Sequence, residues 1–342
     1  MATTTAVASR TPRRRFLNRL TPGRALAAFL VLDVALGLYS LSVSGSKLPF
    51  ADAMGALFGQ TNDFSRLVLQ NQLPRVLLCF IAGATLGIAG GVTQGVIRNP
   101  LASPDIIGVS KGAAVGAAAV ILVFPTVDAE WIPAGAFVGG VLSFLLVYVL
   151  AYRKGVAPVR LALTGIAVGA VADSLIRFML VKWPTNINAA LVWLVGSLYG
   201  HGQRDVVLAL PWLLVLVPAI LYLARRMDVL SLGDDLAAGL GEAVERTRFL
   251  TLILAVAAAS VATSVAGTVG FIGLIAPHIA KQLVGGQHAK YLPLSAAIGV
   301  LLLLVGDTLG RGLLPPLEIP AGLILAFLGG PYFLYLMVKT VR

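Results

Sequence analysis

The sequence lacks the charge that a soluble domain of its size carries. Only 12% of its 342 residues are Asp, Glu, Lys or Arg, against roughly 25% in soluble domains. Cysteine pairs are missing: Cys79 stands alone inside an apolar run, which excludes an intrachain disulfide and suits a small packed residue. Histidine is scarce. His201, His278 and His288 are scattered, so no metal site is assigned. No Gly-x-x-x-x-Gly-Lys-Ser/Thr phosphate loop occurs, and the chain is not expected to hydrolyse ATP. No nucleophile–base motif appears, so no catalytic residue is assigned. Alternating apolar and polar segments are also missing, which excludes a membrane β-barrel.

What fills the chain is apolar sequence, 58% of all residues. A membrane span needs about 20 mostly apolar residues. About ten such runs are predicted, near residues 24–43, 73–95, 104–124, 132–151, 160–180, 205–224, 249–267, 270–285, 291–310 and 320–339. Lipid offers no partners to backbone groups, so these are helices. The fold class is an all-α polytopic membrane protein with membrane lipid around it. The net charge of +11 would suit nucleic acid, but its distribution does not. With alternating spans, one face holds only Lys47, Arg66, Arg75, Arg177, Lys182, Arg204 and Arg311. Lys111 falls on neither face, and every other Lys and Arg falls on the opposite one. This bias places both termini in the cytoplasm. "TPRRRFLNRL" resembles a twin-arginine signal, but no cleavage site follows and further spans come after it. Residues 1–23 are read as a basic cytoplasmic segment, and 24–342 as one membrane domain.

Several stretches interrupt the apolar pattern. "PFADAMGALFGQ" is predicted as a short interfacial helix, and "WPTNINAALVWLVGSLYG" as a short or re-entrant one. The inner loop Arg225–Arg248 contains "GDDLAAGL" and "GEAVERTR", each expected to form a short helix that docks a partner. Gly83, Gly87, Gly91 and Gly95 lie four apart, as do Gly165 and Gly169. Such ladders let another helix approach closely. Charges inside spans are costly and tend to be functional. Asp173 and Arg177, and likewise Asp307 and Arg311, stand four apart, a spacing that permits an intrahelical ion pair. Either pair neutralises itself or lines a water-filled path. Asp33 has no such partner. Thr85, Thr164, Ser174 and Thr268 are candidate path-lining residues.

The segments "LPRVLLCFIAGATLGIAGGVTQGVIRNPLASPDIIGVSKGA" (Leu73–Ala113), "GFIGLIAPHIAKQLVG" (Gly270–Gly285), "GDTLGR" (Gly306–Arg311) and "EIPAGLILAFLGGPYFLYLM" (Glu318–Met337) resemble the permeases of bacterial ABC importers for iron–siderophore complexes, haem and vitamin B12. The resemblance implies ten helices with an inverted repeat, spans 2–5 against 7–10. It implies a permease dimer around a central path in the inner membrane, leaning towards a heterodimer. ABC ATPase subunits would carry the ATP, and this chain would bind no cofactor. A solute-binding protein, periplasmic or lipid-anchored, would dock outside. The substrate would be a ferric siderophore, most like a catecholate of the enterobactin kind. Other iron chelates, haem and vitamin B12 are the alternatives within the family. An ion-coupled transporter using Asp173 or Asp307, or a membrane enzyme, is the alternative outside it. Residue by residue, the resemblance puts Arg75 and Arg311 in binding-protein docking, with Gln72 where many members have another arginine. It puts Asn99 and Leu101 at a cytoplasmic gate, and Pro158 and Val159 at a second. Gly233, Asp234, Asp235, Gly241 and Glu242 fall in the ATPase coupling loop. Asp173 and Arg177 are placed along the translocation path.

Overall fold

A computed structural model describes residues 21–44, 48–61, 63–153 and 155–341. Residues 1–20, which include "TPRRRFLNRL" and nearly all of the expected basic segment, lie outside them, as do Lys47, Lys154 and Arg342. Among the described residues the chain is helical and forms no strand. The helices are α1 (Pro22–Ser40), α2 (Phe50–Leu57), α3 (Ser65–Leu67), α4 (Leu73–Ile97), α5 (Val109–Ala118), α6 (Ile132–Ala151), α7 (Pro158–Lys182), α8 (Ile187–Val195), α9 (Gln203–Tyr222), α10 (Ala224–Leu230), α11 (Asp234–Gly239), α12 (Val244–Ala266), α13 (Ile272–Val284), α14 (His288–Gly312) and α15 (Ala321–Val341). Prolines at the first or second position open α1, α4, α6 and α7, where the missing N–H costs nothing. The expected short helices at 49–60 and 183–200 are α2 and α8.

All ten predicted spans contain a helix, and among the described residues eight helical segments are long and apolar enough to cross a membrane. The other two correct the expectation. In place of full spans at 104–124 and 270–285 stand the shorter segments Val109–Val123 and Ile272–Val284. The reason is local. Pro104–Ile107 forms a 3-10 turn ended by Gly108 at φ 83°, and Gly267 and Phe271 have φ of 69° and 67°. These left-handed positions break the helices. The order long, short, long, long in α4–α7 recurs in α12–α15. Pairings repeat as well: α4 packs on α14 as α12 packs on α6, and α5 packs on α6 as α13 packs on α14. This is the inverted repeat.

The repeat's first helices lie at the centre. The span containing α4 is 83% buried and α12 72%, against 22–28% for α1, α6, α7, α9 and α15. The glycine ladder explains the closeness. A Cβ on Gly83 would lie 2.6 Å from the Gly299 carbonyl oxygen, and one on Gly87 2.2 Å from that of Ser295. Ser295 Oγ donates to the Gly87 carbonyl at 2.7 Å, and Tyr291 Oη to that of Gly91 at 2.9 Å. One turn on, Gly90 leaves the same bare contact to Gly273 of α13. The ladder is therefore packing. Gly87→Ala is expected to destabilise the solubilised protein by about 1–3 kcal/mol, read by thermal unfolding in detergent. Gly286→Ala, where no atom lies within 4 Å of the added Cβ, should leave unfolding unchanged.

Candidate functional site

The breaks before α5 and α13 meet at one place. Pro104 lies against Gly273 so closely that a Cβ there would stand 2.9 Å from its Cδ. Beside them opens a cavity of about 320 Å3 lined by Asp105, Ser110, Lys111, Asp173, Thr268 and Gly270, among others. Lys111 Nζ donates to Asp173 Oδ1 at 2.7 Å. Its stem passes Gly169 of α7. The expected Asp173–Arg177 pair is thus corrected: Asp173 is held from α5, and Arg177 is exposed and makes no ion pair among the described residues. Thr268 lines the cavity, but Thr85 does not. Thr85 is fully buried, and its hydroxyl donates to the Ile81 carbonyl at 2.7 Å.

At one end of the bundle a buried ionic network ties α1, α4 and α14 together. Arg75 Nε donates to Asp307 Oδ1 at 2.8 Å and its Nη1 to Glu318 Oε2 at 2.7 Å. Arg311 Nη2 lies 3.0 Å from Asp307 Oδ2, and its Nη1 donates to the Val43 carbonyl at 2.7 Å. Further hydrogen bonds run from Arg311 to Gln72 and Ser40. The expected Asp307–Arg311 pair forms. The expected docking residues are buried: Arg311 is 1% exposed and Arg75 8%, and Arg75 borders a cavity beside Tyr199 and His201. A guanidinium this buried is tolerable only when paired, and Asp307 with Glu318 supplies the pairing. Gln72 is buried, accepts from Arg311 and is a member of this network, and with Arg75 and Glu318 it also lines that cavity. Asp33 of α1 is fully buried, and neither of its oxygens has a hydrogen-bond partner among the described residues.

At the opposite end, α4 stops at Arg98, a left-handed residue with φ 55°. The next turn is closed by Asn99, whose Oδ1 accepts from the Leu101 N–H at 2.9 Å, an Asx turn. Asn99 is exposed and Leu101 half-buried. Pro158 opens α7, and Val159 beside it is 71% exposed. The six-residue α11 lies between Gly233 and Gly241, both with positive φ. Leu232, Leu236 and Leu240, four apart, are exposed. Asp235 is exposed as well. Asp234 instead is bonded within the chain. Its Oδ1 accepts from Arg248 Nη2 at 2.7 Å and from Arg98. Partial burial opposes its ionisation, but the bonds from Arg248 and Arg98 outweigh this and hold its carboxyl below the usual value. Glu242 accepts from the Thr247 hydroxyl. "GEAVERTR" forms no separate helix. Val244–Arg248 is the first part of α12, because the apolar run that follows carries the helix straight on.

Residues 31–339 match the FecCD transport family. The chain belongs to that family. A FecCD relative from Bacillus subtilis, the Fe(3+)-citrate import system permease protein YfmE, is 47% identical over 93% of this chain and 97% of its own length. The Fe(3+)-citrate import system permease protein YfmD of the same organism is 33% identical over 96% of this chain and 97% of its own. A solved structure described as an inward-facing conformation of a metal-chelate type ABC transporter matches with a TM-score of 0.82 at 27% identity. The match spans 93% of this chain and 99% of that one. The family is one of transport permeases and not of enzymes.

The FecCD fold brings together residues that sequence reasoning left unassigned: Lys111 with Asp173, Glu318 with Arg75, and Glu245 with Arg248. Only the last pair carried a signal, its i,i+3 spacing. Arg311→Ala leaves Asp307 and the buried pocket short of a partner, which typically costs about 3–5 kcal/mol. It should therefore lower the unfolding midpoint of the purified protein sharply. Unchanged unfolding together with lost binding of an extracellular partner would restore the docking role.

Proposed function

We propose that this FecCD chain is the permease subunit of an ABC importer that moves an anionic ferric chelate across the bacterial cytoplasmic membrane. The observation that carries this reading is α11. It is a short helix with Leu236 exposed and the exposed Leu232 and Leu240 flanking it, at the same end as the Asn99–Leu101 turn, in a chain with no phosphate loop. The power must then come from another protein, and this is the surface on which it can push. ATP binds that ATPase, and this chain needs no cofactor. The charge bias along the sequence puts this end, with both termini, in the cytoplasm.

The cavity where the two helix breaks meet is the transport path, as in other transporters with broken helices near the midplane. In the cavity wall Lys111 is paired with Asp173, and Arg177, exposed on the same helix as Asp173 and outside that wall, offers positive charge to an anionic cargo passing it. Both B. subtilis relatives are named for Fe(3+)-citrate, which favours a carboxylate-type chelate over the tris-catecholate expected from the sequence. Two differently named permeases for one substrate also support a heterodimer. A solute-binding protein at the far end supplies the cargo.

Leu236→Asp is expected to weaken association with the ATPase by about tenfold or more, the equivalent of losing one buried leucine, with the permease still inserted. Co-purification of the two proteins reads it directly. Arg177→Ala should lower uptake of ferric citrate into proteoliposomes holding the assembled importer, per assembled complex. Uptake that continues without an ATPase and follows an ion gradient would overturn the reading in favour of a secondary transporter. Uptake of a ferric catecholate but not ferric citrate would overturn the carboxylate assignment alone.

A further inference from the structure

Asp234 is the first residue of α11, and its Oδ1 is where three separate segments join. Arg98 reaches it from the residue that ends α4, immediately before the Asn99–Leu101 turn. The same Arg98 nitrogen also donates to the Leu230 carbonyl at the end of α10, at 2.9 Å. Arg248 reaches Asp234 from the first turns of α12 at 2.7 Å. Arg248 Nη1 in turn donates to the Val156 carbonyl at 3.0 Å, and its neighbour Glu245 accepts from the Val156 N–H at 3.1 Å. Val156 is thus gripped at both of its backbone groups, two residues before Pro158. One carboxylate oxygen therefore connects α11 to both turns that were expected to gate the path.

The two limbs differ in burial. The Arg248 side chain is 2% exposed, whereas those of Arg98 and Asp234 are 34% and 43% exposed. A buried, multiply bonded guanidinium stays in place. A pair open to water exchanges its partner for solvent at little cost. Gly233 and Gly241, at either end of α11, both have positive φ and no atom within 4 Å of an added Cβ, so the helix has open glycine joints on both sides.

We propose that Asp234 is a positioning residue that transmits displacement of α11 to the Asn99–Leu101 turn through a breakable Arg98 limb, while the Arg248 limb keeps it anchored to the Val156 loop. This rests on α11 being the ATPase dock, but assigns Asp234 a role within the chain where a contact with the ATPase would be the simpler expectation. An ordinary surface pair would not bring two guanidiniums from different helices to one oxygen.

The test uses the assembled importer, with Leu101→Cys as a reporter of the turn. Cys79 is fully buried and leaves the reporter as the reactive thiol. Maleimide labelling is compared between nucleotide-free and ATP-trapped complexes. Asp234→Asn and Arg98→Gln should each shrink the nucleotide-dependent change in labelling rate by at least about fivefold, the lower end of ordinary coupling between sites. Both should keep the ATPase bound, and the double variant should be no worse than either single one. Asp234→Glu, which keeps the charge, should restore part of the response and controls for misfolding. If Asp234→Asn releases the ATPase while Arg98→Gln retains a full response, Asp234 is a direct ATPase contact and the proposal falls. Additive losses in the double variant would also overturn it. An ATPase that never co-purifies with the unsubstituted chain overturns the permease reading, and this proposal with it.

Discussion

Backbone contact between α4 and α14 is the interaction on which the rest of the structure depends. In lipid there is no hydrophobic force pressing one apolar helix onto another. What remains is close packing and hydrogen bonding, and both are strongest where side chains are absent. Gly83, Gly87 and Gly299 remove the side chains, and Ser295 and Tyr291 then reach carbonyls of α4 across the gap. With α4 held there, Gly90 brings in α13, and the breaks before α5 and α13 are forced to meet. The site of those breaks becomes the cavity.

Non-helical backbone is tolerated at membrane depth only where protein or water satisfies it. The turn at residues 98–108 meets that condition by packing on α4, α7 and the start of α13, and the segment at 267–271 by packing on the end of α8, where Thr268 donates to the Leu194 carbonyl. The same packing that makes the breaks affordable therefore places Lys111, Asp173 and Thr268 around one cavity. The chemistry of the cavity follows from a requirement of folding.

Charge is distributed between the two ends by burial. At one end Arg75, Arg311 and Asp307 are sealed among α1, α4 and α14, where breaking any contact strands a buried charge. That end is rigid. At the other, the Arg98–Asp234 pair is open to water beside a helix flanked by left-handed glycines. Weakly stabilised elements are the ones that move. A machine that takes in force at one end and keeps the other end's helices fixed would have this division.

Much of the fold was legible in the sequence. Apolar length gave ten helical positions, and the four-residue glycine spacing announced a tight helix contact; the breaks before α5 and α13 were not read. These are local properties, set by hydrocarbon thickness and backbone sterics. The partners of charged residues were not legible. Intrahelical spacing suggested Asp173 with Arg177, yet the packing of α5 on α7 brings Lys111 to Asp173 instead. Arg75 and Arg311 read as exposed docking groups, and only the convergence of α1, α4, α14 and Glu318 shows them buried. The sequence by itself determined which segments are apolar helices, because that follows from each segment's own chemistry. Tertiary structure alone decided which charges meet, because an ion pair depends on the distance between segments far apart in the chain.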